Sequence, residues 1–346
     1  MTRPRTDHPT LARVAREAGV AKSTASLAFS DPERVGEATR ERVLAIAREL
    51  GYAPNALAKS LKTGRNDLLG LIVSDMRSPH GGNTQDAIQA RAYARGHLLI
   101  VGTSRDDAAS ERELLERFAA LRIRGVLLTA TGLDVDYAAL LDALRIDVVT
   151  LDQHLVDSGR DHVGLDNARA TRLLVRHLVG LGHRVVAHVG GRRGLWTAEE
   201  RLAGVRAGLA EAGLSLADEH LVDGDFREER AHAATLALMR GANAPSAIVA
   251  ANDATALGAR RAIRELGLDC PRDVSLVCVD DLPGGALVEP RMTHVEQPLE
   301  AICHRATDLL IDRLEGLRER PEEPVHEAFE PTLVVGDSSG PPPAVR

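Results

Sequence analysis

Apolar positions in the first fifty residues recur at helical spacing and are interrupted by glycine. Leu11, Val14, Ala15 and Ala18 share one face of a helix that Thr10 can cap and Gly19 can end. A second helix is predicted from about Lys22 to Phe29, stopping at the turn-rich SDPERVG. A third, from about Glu37 to Leu50, places Val43, Ile46, Ala47 and Leu50 on one face before Gly51. Three such helices around one apolar centre can form a minimal DNA-binding domain, and the outer side of the second offers Lys22, Ser23, Ser26 and Leu27. Pro54 then breaks the pattern, Asn55 can cap a helix of about two turns carrying Leu57 and Leu61, and Gly64 can end it. A helix that short is marginal alone in water and needs a partner surface to form.

From Leu68 the period changes. LLGLIVSD, HLLIVGT, GVLLTA, DVVTLD, RVVAHVGG, SAIVAAND and SLVCVDD read as strands, separated by helical stretches such as SERELLERFAALR and ATRLLVRHLVGLG. Continuous apolar strands alternating with helices imply parallel sheets covered on both faces. Such sheets bind ligands at the carboxyl ends of their strands. Several runs end there in polar groups: Asp75, Thr129, Asp152, Asn252 with Asp253, and Asp280 with Asp281.

Composition narrows the reading. The chain has 346 residues, enough for two or three units, with 44% hydrophobic residues and only 2% aromatics, so its core is aliphatic. Three cysteines form no CxxC pair, which fits free thiols in a reducing compartment. No apolar leader or long apolar run is present, so a cytoplasmic protein with no membrane contact is expected. Residues 1–65 carry twelve Lys and Arg against seven Asp and Glu, whereas the rest carry 31 against 43. A basic head on an acidic body suggests that only the head meets a polyanion.

The segments TLARVAREAGVAKSTAS, VGEATRERVLAIARELGYAPNALAKSL, VGLDNARATRLLVRHLVGLGHRVVAHVGG, ERLAGVRAGL, ANDATALGARRAI, VSLVCVDD and EQPLEAI occur in that order. With this content and spacing, nearly the whole chain resembles the LacI/GalR family of bacterial transcriptional regulators. The resemblance implies an all-α helix-turn-helix head and an α/β core of two parallel-sheet subdomains like those of periplasmic sugar-binding proteins. On that template residues 1–8 are a flexible N-terminus, 9–53 the DNA-binding domain, 54–65 the hinge helix and linker, and 341–346 a tail. The core spans 66–340, with one subdomain at about 66–165 and 297–326 and the other at about 166–296 and 327–340.

The resemblance also implies site residues. Lys22 and Ser23 stand where the family reads base edges, and Thr24, Ser26 and Thr39 where it fixes phosphates. Arg34 falls where a further DNA contact is common, and Thr10 and Leu27 complete the head's set. In the hinge, Leu61 matches the family's minor-groove wedge, with Asn55 and Lys59 reaching phosphate or groove edges. Arg201 matches the effector-binding arginine, whose planar fork suits vicinal hydroxyls or a carboxylate. Asn252 and Asp280 match two further ligand positions, and Asp75, His80, Thr129 and Asp152 lie in comparable loops of the other subdomain. Phe226 and Trp196 can stack on an apolar sugar face or simply fill a core.

Two head positions depart from the family. Ala21 stands where a capping serine is usual, a loss worth about 1 kcal/mol, and Leu27 stands where an arginine is usual. A bidentate arginine–guanine pair discriminates by about 1–3 kcal/mol, so the operator should differ at that base pair. Leu27 can instead meet a thymine methyl or pack against the head.

The expected protein is a homodimeric repressor on a near-palindromic operator, controlled by a small molecule between the subdomains, a sugar or its derivative. Induction comes first; corepression, or a nucleoside or other non-sugar effector, is the alternative within the family. An enzyme is disfavoured: VGGRRG lacks the dinucleotide-binding spacing, and no Walker loop, HExxH or GxSxG occurs. The histidines show no metal-ligand spacing, so neither metal nor cofactor is expected. A solute-binding protein of the transport type would share the core but carry no such head.

Overall fold

In the computed structural model the described residues are 9–52, 67–76, 79–132, 135–156, 158–282, 284–317 and 323–343. The hinge segment 54–65, with Asn55, Lys59 and Leu61, lies outside them, as does the N-terminus 1–8. The chain divides into two units after Asp67.

Among the described residues the first unit holds three α-helices: α1 (Leu11–Glu17), α2 (Lys22–Ser30) and α3 (Glu37–Glu49). The Thr10 hydroxyl caps α1 by accepting from the Arg13 N–H at 3.3 Å. Gly19 supplies the positive φ of 63° that turns the chain into α2. The residue capping α2 is Ala21, which makes no side-chain cap bond. Val14, Ala15, Ala18, Ala25, Ala28, Val43 and Ala47 form the core, ringed by residues including Phe29 and Tyr52. Alanine dominates because three short helices must approach closely to bury anything.

The second unit contains two six-stranded sheets. The first runs in the order β11-β5-β4-β3-β1-β2, all parallel, with β1 at Leu68–Val73, β2 at Leu98–Thr103 and β3 at Gly125–Leu128. β4 is Asp147–Leu151, β5 is Asp161–Leu165 and β11 is His326–Phe329. The second runs β12-β10-β9-β8-β6-β7, where β6 is Val186–Gly190, β7 Leu221–Asp223 and β8 Ala247–Ala250. β9 (Ser275–Val279) and β10 (Thr293–Glu296) continue it, and β12 (Thr332–Val334) closes it antiparallel. All seven strands read from apolar runs form. β5, β7, β10, β11 and β12 were not among them.

Helices α4 (Pro79–Ala94), α5 (Ala108–Ala120), α6 (Tyr137–Leu144) and α11 (Leu299–Leu314) belong with the first sheet. α7 (Asn167–Gly180), α8 (Trp196–Ala210), α9 (Glu228–Met239) and α10 (Asp253–Glu265) belong with the second. The α7–α8 pair is unusually close: a Cβ at Gly204 would run into the Ala168 carbonyl oxygen, and one at Gly208 into Val175. Across α4 and α11, Arg91 forks onto Asp308 at 2.9 and 2.6 Å, while Arg95 bonds Asp308 and Asp312.

The chain passes between the sheets three times: after Leu165, between Glu296 and Leu299, and between Phe329 and Thr332. The last passage falls a few residues beyond the boundary at 326/327, because His326–Phe329 first pairs with His162–Leu165. In each sheet the strand order reverses beside β1 or β6, which makes two facing switch points, one per subdomain.

Candidate functional site

At the carboxyl end of β4, Asp152 adopts φ 56°, a left-handed conformation that aspartate tolerates better than most side chains. Its carboxylate meets His80 Nε2 of α4 at 2.8 Å. Opposite, at the end of β9, Asp280 is likewise left-handed at φ 69° and accepts two hydrogen bonds from Gln297 Nε2, at 2.7 and 3.0 Å. Gln297 lies in the second passage between the sheets. Arg201 is 7% exposed on α8; its Nε donates to Asn167 Oδ1 at 2.8 Å and an Nη donates to the Ala251 carbonyl at 2.5 Å. The Phe226 ring lies 5.8 Å from the Arg201 guanidinium carbon, with φ 53°, over Gly191, where any Cβ would strike it.

Electrostatics ties these groups into one cluster. Burial lowers the His80 pKa, but Asp152, by charge and hydrogen bond, and then Asp280 push it up to about 9. Asp152 is held below the usual carboxylate range because His80 and Arg201 outweigh its burial. Asp253 is raised by burial and by Asp280, whereas burial lowers Arg201 against the pull of Asp280, Asp152 and Asp253. The cleft therefore gathers three carboxylates and two cations from both subdomains. Such a set accepts and donates toward hydroxyl groups and disfavours an anion.

The sign of the His80 pair sets a pH dependence. A histidine raised above its ordinary value contributes stability fully below about pH 6.5, lost as pH rises through about 9. The urea midpoint should therefore fall between pH 6.5 and 9 more steeply in the wild type than in His80→Gln. Equal slopes would remove the charged pair from the account.

Other contacts join the subdomains beside the cluster. Gln153 Nε2 donates to Thr197 Oγ1 at 2.5 Å, and Arg227 lies 3.6 Å from Asp106. His154 stacks on His162 with centroids 4.8 Å apart, and Trp196 meets both edge-on at 5.6 and 5.2 Å. Burial, with the nearby His154, pushes His162 down to about 3, so it faces Trp196 as a neutral ring.

Sequence reasoning thus located much of this cluster: His80, Asp152, Arg201, Phe226 and Asp280. Asp75 and Thr129 end β1 and β3 at the same edge of the sheet. Asn252, at the end of β8, also caps α10: its Oδ1 accepts from Thr255 N and Oγ1 at 3.0 and 2.9 Å in a capping box. Trp196 differs in place: it lines a separate cavity with His154. The cluster also takes in Gln297, Asn167, Gln153 and Thr197, none of them read as site residues from sequence although Gln297 and Asn167 sit inside quoted segments. It takes in Asp253 as well, noted there only as a polar group at a strand end.

In the head, Lys22 and Ser23 are exposed at the start of α2, and Thr24, Ser26 and Leu27 are half-buried behind them. Leu27 is absent from the apolar side chains packed on the head's core. Arg34 is exposed, 3.8 Å from Asp31, and Thr39 is half-buried in the first turn of α3.

Residues 10–55 match the family described as bacterial regulatory proteins, lacI family, and residues 175–339 match the periplasmic binding protein-like domain. Over 327 residues the chain is 31% identical to the HTH-type transcriptional repressor PurR of Erwinia tasmaniensis, covering 94% of this chain and 95% of that protein. The chain belongs to the LacI family. PurR of Escherichia coli O1:K1 / APEC is 29% identical over 315 residues, 90% of this LacI-family chain and 92% of that repressor. Among solved structures, the lac repressor dimer bound to operator and the anti-inducer ONPF superposes with TM-score 0.86 at 27% identity, covering 96% and 99% of the two chains. The transcriptional regulator CelR–cellobiose complex gives 0.74 at 30% identity, covering 95% and 99%.

Proposed function

We propose that this LacI-family chain is a dimeric transcriptional repressor whose hold on operator DNA is set by a neutral, hydroxyl-rich effector of the sugar class. The observation that carries the effector class is the charged cleft, where carboxylates and a buried guanidinium converge from two subdomains. A hydroxyl group can donate to one and accept from the other, whereas an added anion would meet three carboxylates. The lac repressor dimer with its operator and the CelR complex with cellobiose support this assignment.

In this reading the protein acts in the cytoplasm and carries out no catalysis. Effector closes the cleft, and closure acts only through its different affinity for the two states of the core. Induction follows if the closed state disfavours operator. Two heads read two half-sites, with Lys22 and Ser23 at base edges and Thr24, Ser26, Thr39 and Arg34 at the backbone. Exposed Tyr93, Leu98 and Leu287 give each subdomain apolar surface for a second copy.

The test is selection of operators from random DNA at physiological salt, followed by a metabolite screen on the selected site. A sugar that releases the DNA is the expected result; release by a phosphorylated or carboxylate ligand instead would overturn the effector class. The same selection repeated with Leu27→Arg should exchange one preferred base pair per half-site for a guanine-containing one, worth about 1–3 kcal/mol. An unchanged preference would take Leu27 out of base contact.

A further inference from the structure

A cavity of about 490 Å³ lies beside the charged cleft, within the size range of small-molecule sites. Both subdomains wall it: Tyr137, Ala138, Gln153 and Leu155 from the first, Leu195 and Trp196 from the second. The geometry points to a second ligand subsite here, taking a neutral ring such as a second sugar ring or an aryl aglycone. The effector is then a two-part molecule, with one ring among Arg201, Asp152 and Asp280 and the other against Trp196. This assignment rests on the sugar-class reading above and extends it.

Three observations carry it. First, aromatic residues are scarce, yet the single Trp and one of three Tyr line this cavity, while Phe226 serves the cleft. An indole presents the flat apolar surface that the C–H face of a sugar or an aryl ring covers. Second, among the described residues the fixed charges on the lining are Asp136 and Glu199, both carboxylates already accepting from backbone N–H groups of Ala139 and Gly194. An anionic group gains nothing there. Third, the wall is built rather than loose. Buried Glu111 accepts from the Tyr137 hydroxyl and the Thr131 N–H, and the Tyr137 oxygen accepts from Gly132 N–H at 3.2 Å.

The cavity and the cleft are neighbours along the chain as well as in space. Gln153 follows Asp152, and Thr197 precedes Arg201 by one helical turn, so the Gln153–Thr197 hydrogen bond is the partition between them. A ligand that spans the partition touches both subdomains twice and favours closure more than a single ring can.

Calorimetry on the full-length protein tests this with D-glucose, D-galactose and D-mannose, their 4-nitrophenyl glycosides, and cellobiose, lactose and maltose. The expected result is a two-ring compound binding at least about tenfold tighter than its one-ring parent. Ala138→Phe, which fills the cavity from α6, should bring the two to a common affinity. A one-ring sugar binding as tightly as its two-ring derivative would overturn the second subsite and leave the sugar reading standing. Loss of affinity for both ligands alike in Ala138→Phe, with the fold intact by circular dichroism, would also overturn it. If none of these compounds binds or moves the operator, the sugar reading fails and the subsite fails with it.

Discussion

Arg201→Ala should abolish the response to effector while operator binding without effector stays within about threefold of wild type. Arg201 is buried between Asn167 and the Ala251 carbonyl, over the Phe226 ring, and within electrostatic reach of Asp152, Asp253 and Asp280. Its guanidinium offsets part of that negative charge and gives the cleft a donor fork. Truncating one partner of such a buried, hydrogen-bonded arrangement costs about 2–5 kcal/mol of binding, so effector affinity should fall at least about 30-fold. Operator binding survives because the head has its own core in a separate unit. Arg201→Lys should recover only part of the loss, since an ammonium keeps the charge and forfeits the fork. Calorimetry with effector and anisotropy with labelled operator read the two quantities separately. A retained response in Arg201→Ala would mean that the effector binds elsewhere.

The elements legible in the sequence are those whose own pattern decides them. β1, β3 and β8 are runs of Leu, Ile, Val and Ala that are apolar at nearly every position, and both faces of their sheets are covered. β5, β10, β11 and β12 read differently: DHVGL, THVE, HEAF and TLV are short or polar, and β11 finds its partner β5 far back along the chain. His326 pairs with His162 because α11 has carried the chain back from the second sheet, a long-range event that no local period encodes. The site divides in the same way. Asp152 and Asp280 stand at the ends of apolar runs, where strand termini project side chains into a cleft. Gln297 and Asn167 gain their roles only from the partner each meets, Asp280 and Arg201. Asn252 shows the converse limit. The apolar run encodes its position at a strand end, but that the helix which follows claims its side-chain oxygen as a cap is read only from the fold.

Asp161→Ala should destabilise the core by about 3–5 kcal/mol, more than any substitution on the cleft's rim. Asp161 opens β5 and is fully buried beside the guanidinium of Arg313 on α11, itself 6% exposed. Asp161 Oδ1 also accepts from the Val325 N–H at 2.7 Å, just before β11. One carboxylate thus ties together three segments of the first subdomain, two of which reach it only after the chain has built the second. Arg313 Nε has no hydrogen-bond partner among the described residues, so the contact is an ion pair rather than a bidentate fork. Removing Asp161 leaves that cation buried and uncompensated, and this desolvation cost is larger than the lost attraction. It follows that the double variant Asp161→Leu with Arg313→Met, which removes both charges, should be more stable than either single change. Urea denaturation of the wild type, Asp161→Leu, Arg313→Met and the double variant checks the cycle, and Asp161→Ala, measured beside them, should lose a sizeable part of a domain's typical 5–15 kcal/mol. Additive losses in the double variant would show that Asp161 stabilises through the Val325 backbone bond, with Arg313 a bystander.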